Sequence, residues 1–219
     1  IITKKSFSKY VERLVKEGAN VHILTNDNNL GNIEAVKDSV VVHIGDICNR
    51  SKIQQVLSDV KPQKIYHLAA CLKRDSDPKI IDLLMEVNFR GTLNVLDASK
   101  NINLESFVYP STSDVYGSNT SPFREDQQID PINPYSLSKA AAELACKMYH
   151  KTFSVPVVIF RPFLTYGPRQ EPDLLIPETI MAGIRKTEFK MTKGEQERDI
   201  NFVSDMVEAL VKASISEKA

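Results

Sequence analysis

The chain has 219 residues, in which 28 Lys and Arg balance 28 Asp and Glu. That balance predicts neither a nucleic-acid partner, which would need a basic surface, nor a solvating acidic tail. No apolar run approaches the ~20 residues that span a bilayer, and no signal-peptide pattern opens the chain, so we expect a cytoplasmic protein without a membrane partner.

The first 25 residues predict a strand, a helix and a second strand, which is the opening unit of a dinucleotide-binding fold. Residues 1–3 read as the end of a buried strand, residues 6–17 have helical periodicity, and residues 21–24 form the next apolar run. Such folds carry a glycine-rich turn after the first strand, where the backbone approaches a pyrophosphate. Here Lys4 follows Thr3 directly. Either the phosphate-binding turn has been lost, or a loop of roughly seven residues is omitted; we favour omission, because a direct join leaves no turn to reverse the chain.

The residues after the second strand bear on the choice of cofactor. An NAD enzyme of this kind usually offers an acid to the ribose hydroxyls at this place. Thr25 stands there, and Asn26 and Asp27 follow as possible substitutes. Neither Thr25 nor Asn26 is an arginine, the residue that would bind the 2′-phosphate of NADP. The sequence therefore favours NAD and leaves NADP open.

Two further predicted strands, residues 40–47 and 64–70, lie on either side of a helix predicted over residues 51–60. The strand predicted over residues 64–70 ends in Leu68, Ala69 and Ala70, and small residues leave space for a flat cofactor at the sheet edge. We therefore predict that these three residues form part of a cofactor wall. A long helix over residues 80–100 follows and carries the polar Asn88.

The most informative stretch begins with a strand at residues 107–109. It continues as Ser111-Thr112-Ser113-Asp114-Val115-Tyr116-Gly117 and, after a polar loop, as Asn133-Pro134-Tyr135-Ser136-Leu137-Ser138-Lys139. Asn133 is a favourable N-cap and Pro134 a favourable first residue, so we predict a helix from Pro134 to about Lys151. Tyr135 and Lys139 then share one face of its first turns.

This spacing suits acid–base chemistry. A fixed ammonium ~4 Å from a phenol, at an effective dielectric of ~20, favours the phenolate by up to ~4 kcal/mol, or roughly three pKa units. Tyr135 would then accept a proton near neutral pH, and Thr112 could orient the same substrate hydroxyl.

In these motifs the chain resembles the extended short-chain dehydrogenase/reductase family, the NAD-dependent nucleotide-sugar epimerases and dehydratases. The resemblance implies that Thr112, Tyr135 and Lys139 are the catalytic Ser/Thr, Tyr and Lys. It implies cofactor contacts at Asp46, Ile47, Leu68, Ala69, Ala70, Asn88, Tyr135, Lys139, Pro162 and Phe163. It implies substrate contacts at Thr112, Asp114, Leu164 and Arg198, of which Arg198 would clamp a nucleotide phosphate.

The sequence departs from the family at one substrate contact. The family has an asparagine that touches the substrate diphosphate, and Leu164 stands in its place. This departure puts that contact in doubt and is consistent with a subgroup that takes a different sugar.

Cysteine and histidine usage points away from disulfides and metals. The three cysteines are scattered and odd in number, so we expect free thiols in a reducing compartment. The four histidines lack the spacing of metal ligands, so we expect no metal site.

Alternating strands and helices predict an α/β fold with a Rossmann-like doubly wound parallel sheet. We assign residues 1–170 to a dinucleotide-binding domain, on which residues 200–219 pack back, and residues 171–199 to the start of a small, incomplete substrate-binding lobe. The alanine-rich helix from Pro134, with the helix over residues 80–100, could form a homodimer bundle as is common in the family, although packing onto the sheet explains its alanines almost as well.

The predicted function is that of an NAD(P)-dependent nucleotide-sugar epimerase, most simply a 4-epimerase. A dehydratase, decarboxylase or reductase of the same family is the first alternative, because Asp114 beside Thr112 could serve as a further base. A catalytically silent Rossmann-fold binding protein is the second, because the phosphate-binding turn is missing from the sequence.

Overall fold

The structure of the protein is a computed structural model that describes residues 8–27, 31–73, 77, 79–191 and 193–215. The strand predicted at residues 1–3 and the join between Thr3 and Lys4 lie outside these residues.

Helices and parallel strands alternate along the chain. The strands are β1 (Val21–Thr25), β2 (Val40–Ile44), β3 (Lys64–Tyr66), β4 (Ser106–Pro110), β5 (Val157–Phe160), β6 (Leu164–Tyr166) and β7 (Ile200–Phe202). The helices are α1 (Ser8–Lys16), α2 (Arg50–Val60), α3 (Ile80–Leu84), α4 (Gly91–Ser99), α5 (Pro134–Phe153), α6 (Leu175–Arg185) and α7 (Val203–Ala213). A π-helical segment, Met85–Arg90, joins α3 to α4, and short 3-10 helices cover Gly31–Ser39 and Ser113–Tyr116.

The described strands form three parallel sheets: β1 pairs with β2, β4 lies between β3 and β5 and pairs with both, and β6 pairs with β7. This pairing confirms the predicted α/β class with parallel strands. Two predicted strands are shorter than expected, because regular pairing ends at Ile44 and at Tyr66. One further backbone hydrogen bond follows each of these points, from the Gly45 N–H to the Thr25 carbonyl at 2.8 Å and from the His67 N–H to the Val108 carbonyl at 2.9 Å.

Strand β4 shows how the sheet separates two apolar cores. Successive side chains of a strand point to opposite faces. Phe107 and Tyr109 therefore join one cluster with residues of α2, α4 and α5, whereas Val108 joins a second cluster with residues of α1 and α7. Helices thus cover both faces of β4, as the doubly wound prediction requires.

Helix α5 begins where the sequence predicts. The Asn133 side chain accepts a hydrogen bond from the Ser136 N–H at 2.8 Å, and the Ser136 hydroxyl lies 3.2 Å from the Asn133 N–H. This capping box satisfies amide groups that a helix start leaves unpaired. The helix ends at Phe153, two residues later than predicted, where Ser154 adopts a left-handed conformation with φ 56°.

The C-terminal part of the chain divides into a packed and an open portion. Met206, Val207 and Leu210 of α7 are buried in the core cluster that also contains Val108. In α6, by contrast, only Ala182 is buried, although every residue of that helix is described. The pairing of β6 with β7, which the sequence analysis missed, ties the start of this region to its end.

Candidate active site

A cavity of about 1360 Å³ lies at the carboxyl ends of the parallel strands. Each strand from β1 to β5 contributes a lining residue at its end or shortly after it: in order, Thr25, Gly45, Ala69, Thr112 and Pro162. Ligands of open α/β sheets bind at this edge. The cavity is therefore where the sheet topology predicts a site.

Thr112 is held in an extended conformation at the entrance to a short 3-10 helix. Its Oγ1 accepts a hydrogen bond from the Asp114 N–H at 3.2 Å. The turn closes at Gly117, where φ is +58° and an added Cβ would lie 1.6 Å from the Asp130 carbonyl oxygen. The backbone therefore fixes the position of Thr112 on the cavity wall.

Tyr135 lines the same cavity from the first turn of α5, so the structure brings the predicted hydroxyl and phenol to one site. The Lys139 side chain is 3% exposed and does not line the cavity. Its Nζ donates a hydrogen bond to the Pro110 carbonyl oxygen at 2.7 Å and lies 4.2 Å from the centre of the Tyr109 ring. Lys139 thus lies behind the wall that carries Thr112.

Burial controls the charge of this lysine. Removal of the ammonium from water lowers the pKa of Lys139 to about 7, although Cys146 and Glu143 act in the opposite direction. Near neutral pH, small changes in nearby charge therefore decide whether Lys139 is protonated.

A buried ion pair lies one turn further along α5. The guanidinium of Arg161 donates to both carboxylate oxygens of Glu143, with Nε–Oε1 at 3.0 Å and Nη2–Oε2 at 2.9 Å. Glu143 is fully buried, and Arg161 also lies 4.9 Å from the centre of the Tyr116 ring. The sequence analysis missed this pair. The signal was a glutamate four residues after Lys139, because a carboxylate on a buried helix face requires a partner.

Asn88 supports the cavity wall from behind and does not line it. Its Oδ1 accepts from the Cys71 N–H at 2.7 Å, and its Nδ2 donates to the Cys71 carbonyl at 3.1 Å and to the Ser138 hydroxyl at 2.9 Å. The Ser138 hydroxyl in turn donates to the Tyr135 carbonyl at 2.7 Å. Asn88 therefore connects the chain beyond β3 with the helix turn that carries Tyr135.

The remaining predicted cofactor residues divide between wall and core. Asp46, Ile47, Ala69, Ala70, Pro162 and Phe163 line the cavity. Leu68 does not line it: its side chain lies in the core cluster that contains Tyr10. Strand β3 ends at Tyr66, so the strand predicted over residues 64–70 stops before Leu68.

Several features of this wall fit a dinucleotide. Gly45, Ala69 and Ala70 present little or no side chain at the sheet edge. The Ser111 hydroxyl is buried beside the cavity without a hydrogen-bond partner among the described atoms, so a polar ligand could satisfy it. Ligand pockets usually measure about 300–1,000 Å³. At about 1360 Å³, the cavity is larger than this range.

The predicted substrate residues meet on the same cavity. Asp114 follows Thr112, Leu164 belongs to β6, and Arg198 precedes β7; all three line the cavity. The pairing of β6 with β7 explains how residues 34 positions apart reach one wall.

Within residues 8–27, 31–73, 77, 79–191 and 193–215, no group of three His, Cys, Asp or Glu residues could hold a metal ion. None of the helices in these ranges is both long and apolar enough to cross a bilayer.

Sequence comparison finds relatives that are longer than this chain. It is 32% identical over 200 residues to a dTDP-D-glucose 4,6-dehydratase of Dictyostelium discoideum, covering 84% of this chain and 45% of that protein. It is 29% identical over 168 residues to a UDP-glucuronate 4-epimerase of Thermodesulfobacterium geofontis, covering 76% of this chain and 52% of that protein. The chain thus spans about half the length of these curated relatives.

Solved structures share the fold. A UDP-glucuronic acid 4-epimerase from Bacillus cereus, in complex with UDP-glucuronic acid and NAD, matches with a TM-score of 0.85 at 30% identity, covering 96% of this chain and 70% of that one. A UDP-N-acetylglucosamine 4-epimerase from Methanobrevibacter ruminantium M1 matches with a TM-score of 0.86 at 26% identity, covering 96% and 69%. These similarities confirm the Rossmann-like fold. Because the model of the NAD dependent epimerase/dehydratase family matches residues 8–218, almost the whole chain, this protein belongs to that family.

Proposed function

We propose that this protein is an NAD-dependent nucleotide-sugar 4-epimerase. The observation that carries the proposal is that Thr112 and Tyr135 line one cavity while the buried Lys139 lies directly behind its wall. The solved relatives that bind NAD and UDP-sugars support both ligands, and NADP remains the second cofactor to test.

Each residue has a separate task in this mechanism. Tyr135 accepts the proton of a sugar hydroxyl, and Thr112 donates or accepts a hydrogen bond at the same oxygen, which fixes its orientation. The Lys139 ammonium stabilises the phenolate of Tyr135 through its charge. Bound NAD would accept a hydride from the sugar carbon and return it.

The proposed cofactor contacts follow the cavity wall. Asp46 and Ile47 would meet the adenine, while Ala69 and Ala70 would let the dinucleotide pass the sheet edge. Pro162 and Phe163 line the cavity after β5, and the Pro162 carbonyl accepts a hydrogen bond at 2.9 Å from the N–H of Ser113, next to Thr112. Arg198 would bind a nucleotide phosphate, and Leu164 would leave the diphosphate one hydrogen bond short of the family pattern.

A panel of nucleotide sugars tests the reaction. The purified protein is incubated with NAD and the UDP-, dTDP-, GDP- and CDP-forms of glucose and galactose, and products are separated by chromatography and identified by NMR. Interconversion of a 4-epimer pair is the expected result. Absence of any conversion, with NAD bound, would contradict the epimerase proposal.

A dehydratase is the second candidate, and Asp114 is the reason. Asp114 lines the cavity two residues after Thr112, where its carboxylate could act as a second base and remove a further proton from the sugar ring. The same panel separates the two reactions, because dehydration gives a 4-keto-6-deoxy sugar with a carbonyl signal. Accumulation of that product would replace the epimerase proposal.

A silent binding protein would lack dinucleotide affinity. Fluorescence titration with NADH and isothermal titration with NAD test this reading directly. Micromolar binding supports an enzyme, and no binding at millimolar cofactor would support the silent reading.

We also propose a homodimer formed through the face of α3 and α5 that points away from the core. These helices pack together, and Leu83, Leu137, Leu144 and Met148 are large apolar residues left between 41% and 58% exposed on them. Exposed apolar surface of this kind often marks an interface between proteins. A two-fold arrangement would bring the same face of two copies together.

Light scattering after size exclusion tests the dimer. We expect twice the 24.6 kDa mass of the chain for the native protein and the single mass for Leu144→Glu. Ile184→Glu, on the exposed surface of α6, is the matched control and should stay dimeric. A native protein that is monomeric at tens of micromolar would contradict the proposal.

The free thiols of Cys48, Cys71 and Cys146 support a reducing compartment, and we propose the cytoplasm. Detection of the protein in a secreted fraction would contradict this location.

A further inference from the structure

The ion pair between Glu143 and Arg161 has no part in the acid–base chemistry described above, yet both of its side chains are almost completely removed from solvent. Both carboxylate oxygens of Glu143 are held by Arg161, and the third nitrogen of the guanidinium, Nη1, donates to the Glu125 carbonyl at 3.3 Å. The side chains of Glu143 and Arg161 are 0% and 10% exposed. Because taking two charges out of water is costly, the arrangement needs an explanation beyond simple stabilisation.

The carboxylate of this pair acts electrostatically on Lys139, one of the proposed acid–base residues. Glu143 lies one helical turn after Lys139 on α5, and its carboxylate raises the pKa of Lys139 against the effect of burial. Within the described core, the carboxylate of Glu143 thus forms an ion pair with Arg161 and also acts through its charge on Lys139. The phenolate of Tyr135 would supply the balancing negative charge during the reaction.

We propose that Glu143 and Arg161 are positioning residues that set the charge states of Lys139 and Tyr135. They do so because their buried carboxylate and guanidinium are held at fixed places behind the cavity wall. The inference rests on the proposed function for its kinetic readout, because it assumes that Tyr135 and Lys139 form the working pair. Glu143 favours the ammonium of Lys139. Arg161 limits that effect by neutralising part of the carboxylate charge.

The other groups around Lys139 do not supply this control. Directly after β3, His67 is buried near the lysine charge, and burial lowers the pKa of His67 to about 3, so it is neutral at working pH. From β4, Tyr109 stacks against the ammonium, and burial raises its pKa. From α5, burial raises the pKa of the Cys146 thiol, which is therefore uncharged. Glu143 is the charged group of opposite sign among those that act on Lys139.

Charge-removing variants test the proposal through the pH dependence of kcat. Activity requires the phenolate of Tyr135 and the ammonium of Lys139, so the profile should have an acid limb and a basic limb. Glu143→Gln makes the site more positive, which favours the phenolate and disfavours the ammonium; both limbs should move to lower pH, by on the order of one pH unit. Arg161→Met should move both limbs to higher pH.

Two further variants separate charge from packing. Arg161→Lys keeps the positive charge and should leave both limbs in place, even if kcat falls. The double variant Glu143→Gln/Arg161→Met removes both charges and should return the limbs towards their native positions. If the pair were merely structural, both substitutions would lower kcat or stability, but the limbs of the pH profile would not move in opposite directions in Glu143→Gln and Arg161→Met. Unmoved limbs in Glu143→Gln would therefore overturn the proposal.

A measurement without ligands decides the case if Arg161→Met does not fold or no substrate is turned over. Lys139 loses its proton near pH 7 in the native chain, against 10.5 for an ordinary lysine, so the free energy of unfolding should begin to rise with pH from about 7. In folded Glu143→Gln that rise should begin at lower pH, whereas in Arg161→Lys it should not move. Failure of the nucleotide-sugar panel alone would sink the proposed function, and an unchanged onset in Glu143→Gln would sink this inference.

Discussion

Helices α5 and α6 invert the usual rule that apolar residues are inside and polar residues outside. On α5, Tyr135, Ser136, Ser138, Lys139 and Glu143 are all at most 5% exposed. On α6, Ile180 is 54% exposed and Ile184 is 69% exposed. A buried polar group is costly unless it is paired, so α5 is held by specific partners, whereas the described surroundings of α6 constrain it little.

The difference teaches where this molecule is preorganised. Asn88, Pro110 and Arg161 each form a hydrogen bond with a polar side chain of α5. A site that must fix a proton acceptor gains from such constraints, because little rearrangement is left for the reaction itself. Substitutions should therefore have large effects around α5 and small ones on α6.

The largest effect is expected for Tyr135→Phe, which removes only the hydroxyl. If Tyr135 is the proton acceptor, kcat should fall by about 10²–10⁴-fold, the usual contribution of a positioned acid–base group. Steady-state rates with the nucleotide sugar found in the panel measure the loss. Tyr149→Phe, a buried tyrosine later on the same helix, is the control and should retain most of the activity. Comparable rates in Tyr135→Phe and the native protein would remove Tyr135 from the mechanism.

Next comes a pair of glycine substitutions that contrasts the two regions. At Gly117, φ is +58° and a Cβ would overlap the Asp130 carbonyl, whereas at Gly183 on α6 nothing lies within 4 Å of a Cβ. Gly117→Ala should lower the free energy of unfolding by about 3–5 kcal/mol, because both backbone strain and a clash result. Gly183→Ala should raise it by up to about 1 kcal/mol, since alanine favours a helix interior.

Chemical denaturation measures both glycine variants on the same scale. The predicted difference is wrong if Gly117→Ala lowers the free energy of unfolding no more than Gly183→Ala does. In that case the turn after Thr112 would be able to relax, and the position of Thr112 would not be fixed by its backbone.

The third prediction concerns the pH dependence of stability. The pKa of Lys139 is lowered to about 7 in the native chain from 10.5 in the unfolded one. Between these values the unfolded chain binds more protons, so this residue makes stability rise with pH by up to ~1.4 kcal/mol per unit. Lys139→Met should remove that part of the slope between pH 7 and 9.

The matched control for this slope is Lys151→Met, because Lys151 lies on the same helix and is exposed. Its slope should equal that of the native protein. Equal slopes in all three proteins would show that Lys139 is protonated alike in the folded and unfolded chain, which would contradict the effect of its burial.

The contrast between α5 and α6 also explains which features the sequence could predict. The start of α5 was predictable, because Asn133 and Pro134 act on the backbone next to them. The placement of Tyr135 and Lys139 on the first turns of the same helix followed from their spacing of four residues. Local rules of this kind recover the part of the site that is close in sequence.

Interactions between distant segments were not predictable in this way. The bond from Arg161 to Glu143 spans 18 residues, and the pairing of Leu164 with Ile200 joins two short strands with no strong alternation. Leu68 was placed on the cavity wall by its neighbours in sequence, but it lies in the core because β3 has already ended. Their geometry depends on how the elements pack, and a single sequence gives no direct measure of that packing.

The smallest effect is expected for Ile184→Ala on α6. Only 31% of this side chain's surface is covered, since it is 69% exposed, so the substitution leaves no cavity and should change the free energy of unfolding by no more than about 0.5 kcal/mol. Leu210→Ala on α7 is the counterpart: Leu210 is 1% exposed, and its truncation should cost about 2–5 kcal/mol. Urea titrations of both variants measure the difference. If Ile184→Ala lowered the free energy of unfolding as much as Leu210→Ala, α6 would have to be covered in solution. The contrast with α5 would then come from a missing contact on α6, and not from a difference in how the two helices are held.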